Sequence, residues 1–187
     1  MIRVRRATPE DVPVIAEINV RGWQAAFREL FPDEFLDSAE PTTREPIFAE
    51  RVGEQPPHHA LVAEVRGVVV GFVILGPPED EELEPDRVHE LWGLYIEPAR
   101  FRTGVGRLLI DHALAYLREG DWESAILWTL KDVERTCRFY EVAGWYRDGA
   151  ERAWELPKGN HVTLVRYRFD LSGNGSEPPA THGEDGR

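Results

Sequence analysis

The chain lacks several of the features that mark out broad protein classes, and each absence narrows the reading. One cysteine, Cys137, in 187 residues excludes an internal disulfide framework and any cysteine-based metal cluster. No run of eighteen apolar residues exists, and the N-terminus, Met1-Ile2-Arg3-Val4-Arg5-Arg6, enters a charged strand without an apolar signal core, so a cytoplasmic protein without membrane spans is expected. Positive charge is also scarce: 22 basic against 34 acidic residues leave a net charge of −12. That balance argues against nucleic acid or anionic membrane as a partner of the whole surface. His58 and His59 lie in a proline-flanked loop with no cysteine or carboxylate at ligand spacing, so no metal site is expected.

What is present fits one domain. A 42% hydrophobic content is ordinary for a globular chain of this length, and the domain is expected over residues 1–171. Residues 172–187 are rich in Ser, Gly, Pro and acids and read as a disordered tail. Residues 2 to 6 read as a strand. Thr8-Pro9-Glu10-Asp11 then supplies a helix cap, a proline at the first helical position and an acid three residues after the cap. Val12, Ile15, Ala16, Asn19, Trp23, Phe27 and Leu30 continue at helical spacing, with Gly22 a candidate break. A further helix is expected over 42 to 53. Two β-branched runs, 60 to 65 and 68 to 75, are joined by Arg66-Gly67 as a tight hairpin.

A strand over 88 to 96, a helix over 104 to 119, a strand over 125 to 130 and a helix over 133 to 143 follow. A last antiparallel pair is expected at 151 to 156 and 162 to 170, turning at Pro157-Lys158-Gly159-Asn160. The stripe Gly106, Leu109, Ile110, Ala113, Leu114, Leu117 must face a sheet. A strand, a crossover helix and a second strand imply a parallel pair among antiparallel hairpins, and therefore a mixed sheet of class α/β or α+β.

The segment from Leu94 to Ile110 carries the strongest chemical signal. An apolar strand, a basic glycine turn (Arg102-Thr103-Gly104-Val105-Gly106-Arg107) and a helix start aim unpaired backbone N–H groups at an anion. The turn lacks the Gly-Lys-Ser/Thr ending of a nucleotide P-loop and the three-glycine spacing of a dinucleotide fold. Six carboxylates crowd residues 79 to 86, which reads as a solvated loop and secondarily as a device for recruiting a cationic amine.

Together these motifs resemble the GNAT superfamily of acetyl-CoA-dependent N-acetyltransferases over about residues 2 to 170. The family signature Arg/Gln-x-x-Gly-x-Gly/Ala aligns with Phe101-Arg102-Thr103-Gly104-Val105-Gly106, with Phe101 where Arg or Gln is usual. Phe139-Tyr140-Glu141 followed by Gly144-Trp145 is similar to a later family helix, with Val133 where asparagine is common. The resemblance implies a mixed, mostly antiparallel sheet of about seven strands flanked by helices. It implies acetyl-CoA as cosubstrate, held by Arg102, Thr103, Gly104, Val105, Gly106 and Arg107 at its pyrophosphate. Its pantetheine arm would bond the main chain of Leu94, Tyr95 and Ile96 where the fourth and fifth strands splay apart.

It also implies transfer of the acetyl group to a primary amine of a small molecule or peptide, and a homodimer as one common assembly. Tyr140 would be the acid serving the coenzyme sulfur. The base is open: Glu90, expected to share a strand face with Trp92, Leu94 and Ile96, comes first, His89 on the opposite face second, and bulk water remains. Trp23 and Phe27 would line the acceptor side or the core, and Cys137 reads as packing rather than as a nucleophile. The alternative function is a noncatalytic acyl-CoA sensor or interaction module of the same fold, motivated by Phe101 and Val133.

Overall fold

The computed structural model describes residues 1–53, 58–155 and 161–171. The chain runs β1 (Ile2–Arg6), α1 (Val12–Phe27), α2 (Asp33–Asp37), α3 (Pro41–Gly53), β2 (His59–Val65), β3 (Val68–Gly76), β4 (Val88–Ile96), α4 (Val105–Glu119), β5 (Ser124–Leu130), α5 (Glu134–Val142), β6 (Tyr146–Glu155) and β7 (His161–Asp170). Short 3₁₀ turns at Pro9–Asp11 and Pro98–Arg100 precede α1 and follow β4. The strands form one seven-stranded sheet in the order β1-β2-β3-β4-β5-β7-β6, antiparallel except for β4 and β5. The mixed sheet expected from the crossover is therefore present. The expected turn at 157–160 and the tail at 172–187 lie outside the described residues. Among the described residues no helix is long and apolar enough to cross a membrane.

Local chemistry explains the elements. Thr8 N–H donates to the Asp11 carboxylate at 2.8 Å, and Arg5 holds both oxygens of that carboxylate from β1. The Arg5 guanidinium therefore keeps Asp11 below the usual carboxylate range. The β2–β3 turn places Arg66 at φ 53° and Gly67 at φ 77°, left-handed values at both central residues that match the sheet's twist. On α4 the whole stripe, with Val105 added, is buried against strands of the β1 to β4 side of the sheet, β3 and β4 foremost. Each of its leucines contributes about 1.5–3 kcal/mol by leaving water. The opposite sheet face is covered by α1 and α3 through Ile15, Ile18, Phe48 and Val52 against Val62, Phe72 and Ile74.

Three expectations need correction. Gly22 does not break α1; it is buried there, and a Cβ would come 3.0 Å from the Tyr95 ring, so glycine serves close helix–strand approach. β6 begins at Tyr146 rather than 151, and α2 had no periodic signal because it is only five residues long. Most consequential is β4: Ile74 pairs with Gly93 and Leu75 with Leu91, so Trp92 is an extra residue and the strand bulges. The bulge flips the alternation beyond it. Leu94 and Ile96 join Leu91 in the α4 core, whereas Tyr95 joins Trp92 on the α1 side, so Glu90 does not share a face with Leu94 and Ile96.

Candidate active site

β4 and β5 pair only through Val88–Ser124, His89–Ala125 and Glu90–Ile126. Beyond Glu90 they diverge, because β4 stays on β3 as far as Ile96 while β5 follows β7 as far as Leu130. The gap leaves main-chain groups of Leu91 to Ile96 without a neighbour on the β5 side, a ready edge for an extended ligand. A cleft of about 770 Å³ fills this gap.

One end of the cleft is built by the glycine turn and α5. Gly104 caps α4 at φ 87°, and Arg102 before it stands at φ 61°, a left-handed value that costs a non-glycine residue about 1 kcal/mol. The Leu108 N–H, donating to Gly104 O at 3.0 Å, is the first to close the helix, so the amides just ahead of it have no intrahelical acceptor. A Cβ at Gly106 would come 2.8 Å from Ile96, which is why the turn lies so close to β4. Arg100, Phe101, Arg102, Gly104, Gly106 and Arg107 line this end. Thr103 and Val105 are not among the lining residues: Thr103 Oγ1 donates to Arg100 O, and Val105 is core. Arg107 is also engaged by Asp111 at 2.9 Å.

Two cations that the sequence reading passed over stand opposite. Arg135 and Arg138, one turn apart on α5, line the cleft, and the Arg135 guanidinium lies 4.6 Å from the centre of the Phe101 ring. Phe101 thus fills the family's basic position yet holds a charge over its face. The i, i+3 spacing of the two arginines at a helix start was the available signal. No Asp or Glu is among the described lining residues, so a protein of net charge −12 presents a cleft charged only by arginine.

At the middle of the cleft is Tyr140. It is buried, its hydroxyl makes no hydrogen bond among the described residues, and burial pushes its pKa well up, so it stays a phenol at neutral pH. Glu90 lies on the last paired rung, at the vertex of the splay, and is buried. Burial pushes its carboxyl up to about 7, opposed by the Glu79 N–H that donates to Glu90 Oε2 at 2.9 Å. Glu90 does not itself line the cleft; Trp92, two residues on, does. His89 is also buried, its ring tilted against Trp122 at 4.2 Å between centroids, and does not line the cleft. Cys137 is core, with its thiol directed to Leu130 O at 3.6 Å. No group of three or more potential metal-ligating side chains occurs among the described residues.

The family model for the acetyltransferase (GNAT) family matches residues 22–145. The chain belongs to that family. Acetyl transfer from acetyl-CoA is the activity this GNAT membership implies. The chain is similar to the uncharacterized N-acetyltransferase YuaI of Bacillus subtilis, 29% identical over 132 residues, covering 70% of this chain and 73% of that one. It is also similar to the probable N-acetyltransferase Rv2775 of Mycobacterium tuberculosis, 28% identical over 173 residues, covering 90% and 93%. Among solved structures, YncA of Salmonella typhimurium, a putative acetyltransferase with its cofactor acetyl-CoA, superposes with TM-score 0.71 at 18% identity over 96% of this chain and 99% of that one. At that identity the likeness shows the GNAT fold alone.

Proposed function

We propose that this GNAT protein binds acetyl-CoA in the splayed cleft and transfers its acetyl group to a primary amine by direct attack in a ternary complex. The pyrophosphate would lie on the free amides ahead of Leu108, between Arg102 and the α5 arginines, and the pantetheine arm would bond β4 at Leu94–Ile96 as an added strand. Tyr140 carries the reading: a buried phenol with an unengaged hydroxyl, facing a cleft flanked by a bare strand edge and an anion turn.

The chemistry needs two proton movements. An alkylammonium must lose a proton before its nitrogen can attack the thioester carbonyl, and Glu90, pushed up to about 7, is suited to take it near neutral pH. Its position behind the cleft wall makes that transfer run through water. As the C–N bond forms and the C–S bond breaks, Tyr140 donates its O–H to the departing sulfur. The proton that the nitrogen sheds restores the phenol. Glu90 passes the proton it took to solvent through the same water, and amide, free thiol and one released proton complete the balance.

Tyr140→Phe is expected to lower kcat for free-thiol release by about 100-fold while leaving the acetyl-CoA Kd nearly unchanged. Unchanged turnover would remove Tyr140 from the reaction. Cofactor binding without turnover on any amine would favour the sensor reading instead.

A further inference from the structure

The far end of the cleft, away from the glycine turn, is built from Trp23, Phe27, Trp92, Tyr95, Trp128 and Trp154. Rings meet edge to face there: Trp23 lies 5.0 Å from Phe27 and 5.4 Å from Trp154. Three of the indole N–H groups are already used within the protein. Trp23 donates to the Tyr95 hydroxyl at 2.8 Å, Trp92 to Pro77 O at 3.0 Å and Trp128 to Asp80 at 3.0 Å. These tryptophans therefore offer an occupant hydrocarbon surface and no donor.

Charge points the same way. None of the acidic loop's carboxylates is among the lining residues, and four of the six are paired: Glu79 with Arg51, Asp80 and Glu82 with Arg166 at 2.9 and 3.1 Å, Asp80 also with Arg152, and Glu84 with Arg87. The tryptophans meanwhile already carry guanidinium groups, with Arg44 over Trp23 at 5.7 Å, Arg51 over Trp92 at 4.4 Å and Arg152 over Trp128 at 4.3 Å. A second positive charge on the acceptor would meet three indoles that already hold a guanidinium and, among the described residues, no lining carboxylate.

We infer that the acceptor is a primary amine borne on an uncharged aromatic body, not a polycation of the kind the loop's composition invites. This rests on the acetyl-transfer reading above. In the ternary complex the aromatic body would lie among the tryptophans with its single amine toward the vertex between Tyr140 and Glu90.

The test compares 2-phenylethylamine with spermidine as acceptors, reading free thiol from acetyl-CoA, while coenzyme A binding is followed separately by thermal shift. The expected result is a kcat/KM higher for 2-phenylethylamine by about tenfold, the gain from burying an aromatic ring against an apolar wall. Trp154→Ala should raise KM for 2-phenylethylamine about fivefold without changing the thermal shift produced by coenzyme A. Equal or better use of spermidine overturns the inference, and so does a bound cofactor with no turnover on either amine. An absent thermal shift overturns the acetyl-transfer reading itself, and the inference with it.

Discussion

Glu90 concentrates the residue-scale chemistry, because one carboxyl is asked both to stay buried and to ionise. Burial raises it to about 7 from an ordinary value near 4.5, so the folded state favours the neutral acid. A group shifted in this direction contributes stability that is fully present below its unfolded pKa and is lost as pH rises through the folded one. The proposed role as base runs the other way, since only the carboxylate accepts a proton. Parent and Glu90→Gln proteins should therefore be about equally stable near pH 4. Above pH 8 the variant should be the more stable by about 3 kcal/mol, read by denaturant melts across pH. The variant should also lose the limb of the kcat–pH profile that rises through about pH 7. A profile unchanged by the substitution would return the base to bulk water.

The turn before α4 is the element on which the proposed cofactor binding depends. Gly104 has nothing within 4 Å of where a Cβ would stand, so Gly104→Ala introduces no clash; the cost comes from φ 87° alone. We expect a loss of about 1–2 kcal/mol of stability and about a tenfold weaker coenzyme A Kd, measured by calorimetry, as the turn relaxes and its amides swing off the phosphate. Elements of this kind were legible in the sequence. The Arg66-Gly67 hairpin, the α4 stripe and the glycine turn each follow from a local rule of period or backbone freedom.

What escaped reading was set by distant packing. The bulge at Trp92 needs the indole to seat beneath Gly76, where a Cβ would run into the ring, and no pattern within β4 alone reveals that. The acidic loop reads as solvated because its partner Arg166 lies 86 residues from Asp80. Arg135, whose guanidinium lies over the Phe101 ring, belongs to another helix altogether.

At the scale of the molecule the sheet is two blocks, β1 to β4 and β5 with β7 and β6, joined at their shared seam by three paired rungs. The rest of the seam is cleft, so the junction depends on α4, which packs on β1 to β4 and reaches β7 through Arg118 over the Phe169 ring at 5.3 Å, and on α5, which packs on β5. A ligand lying along β4 from the glycine turn to Tyr140 would replace missing strand contacts and bridge the blocks. Its binding energy then appears as stability of the whole domain: at 100 times its Kd, coenzyme A should add about 2.7 kcal/mol to unfolding. Hydrogen exchange locates the effect. Amides of residues 94–96 and 104–107 should slow on cofactor addition, whereas those of β1 and β2, already paired at the far edge, should change only as global stability does. Equal slowing at every amide would mean that coenzyme A stabilises the fold without lying in the seam, and would place its site elsewhere.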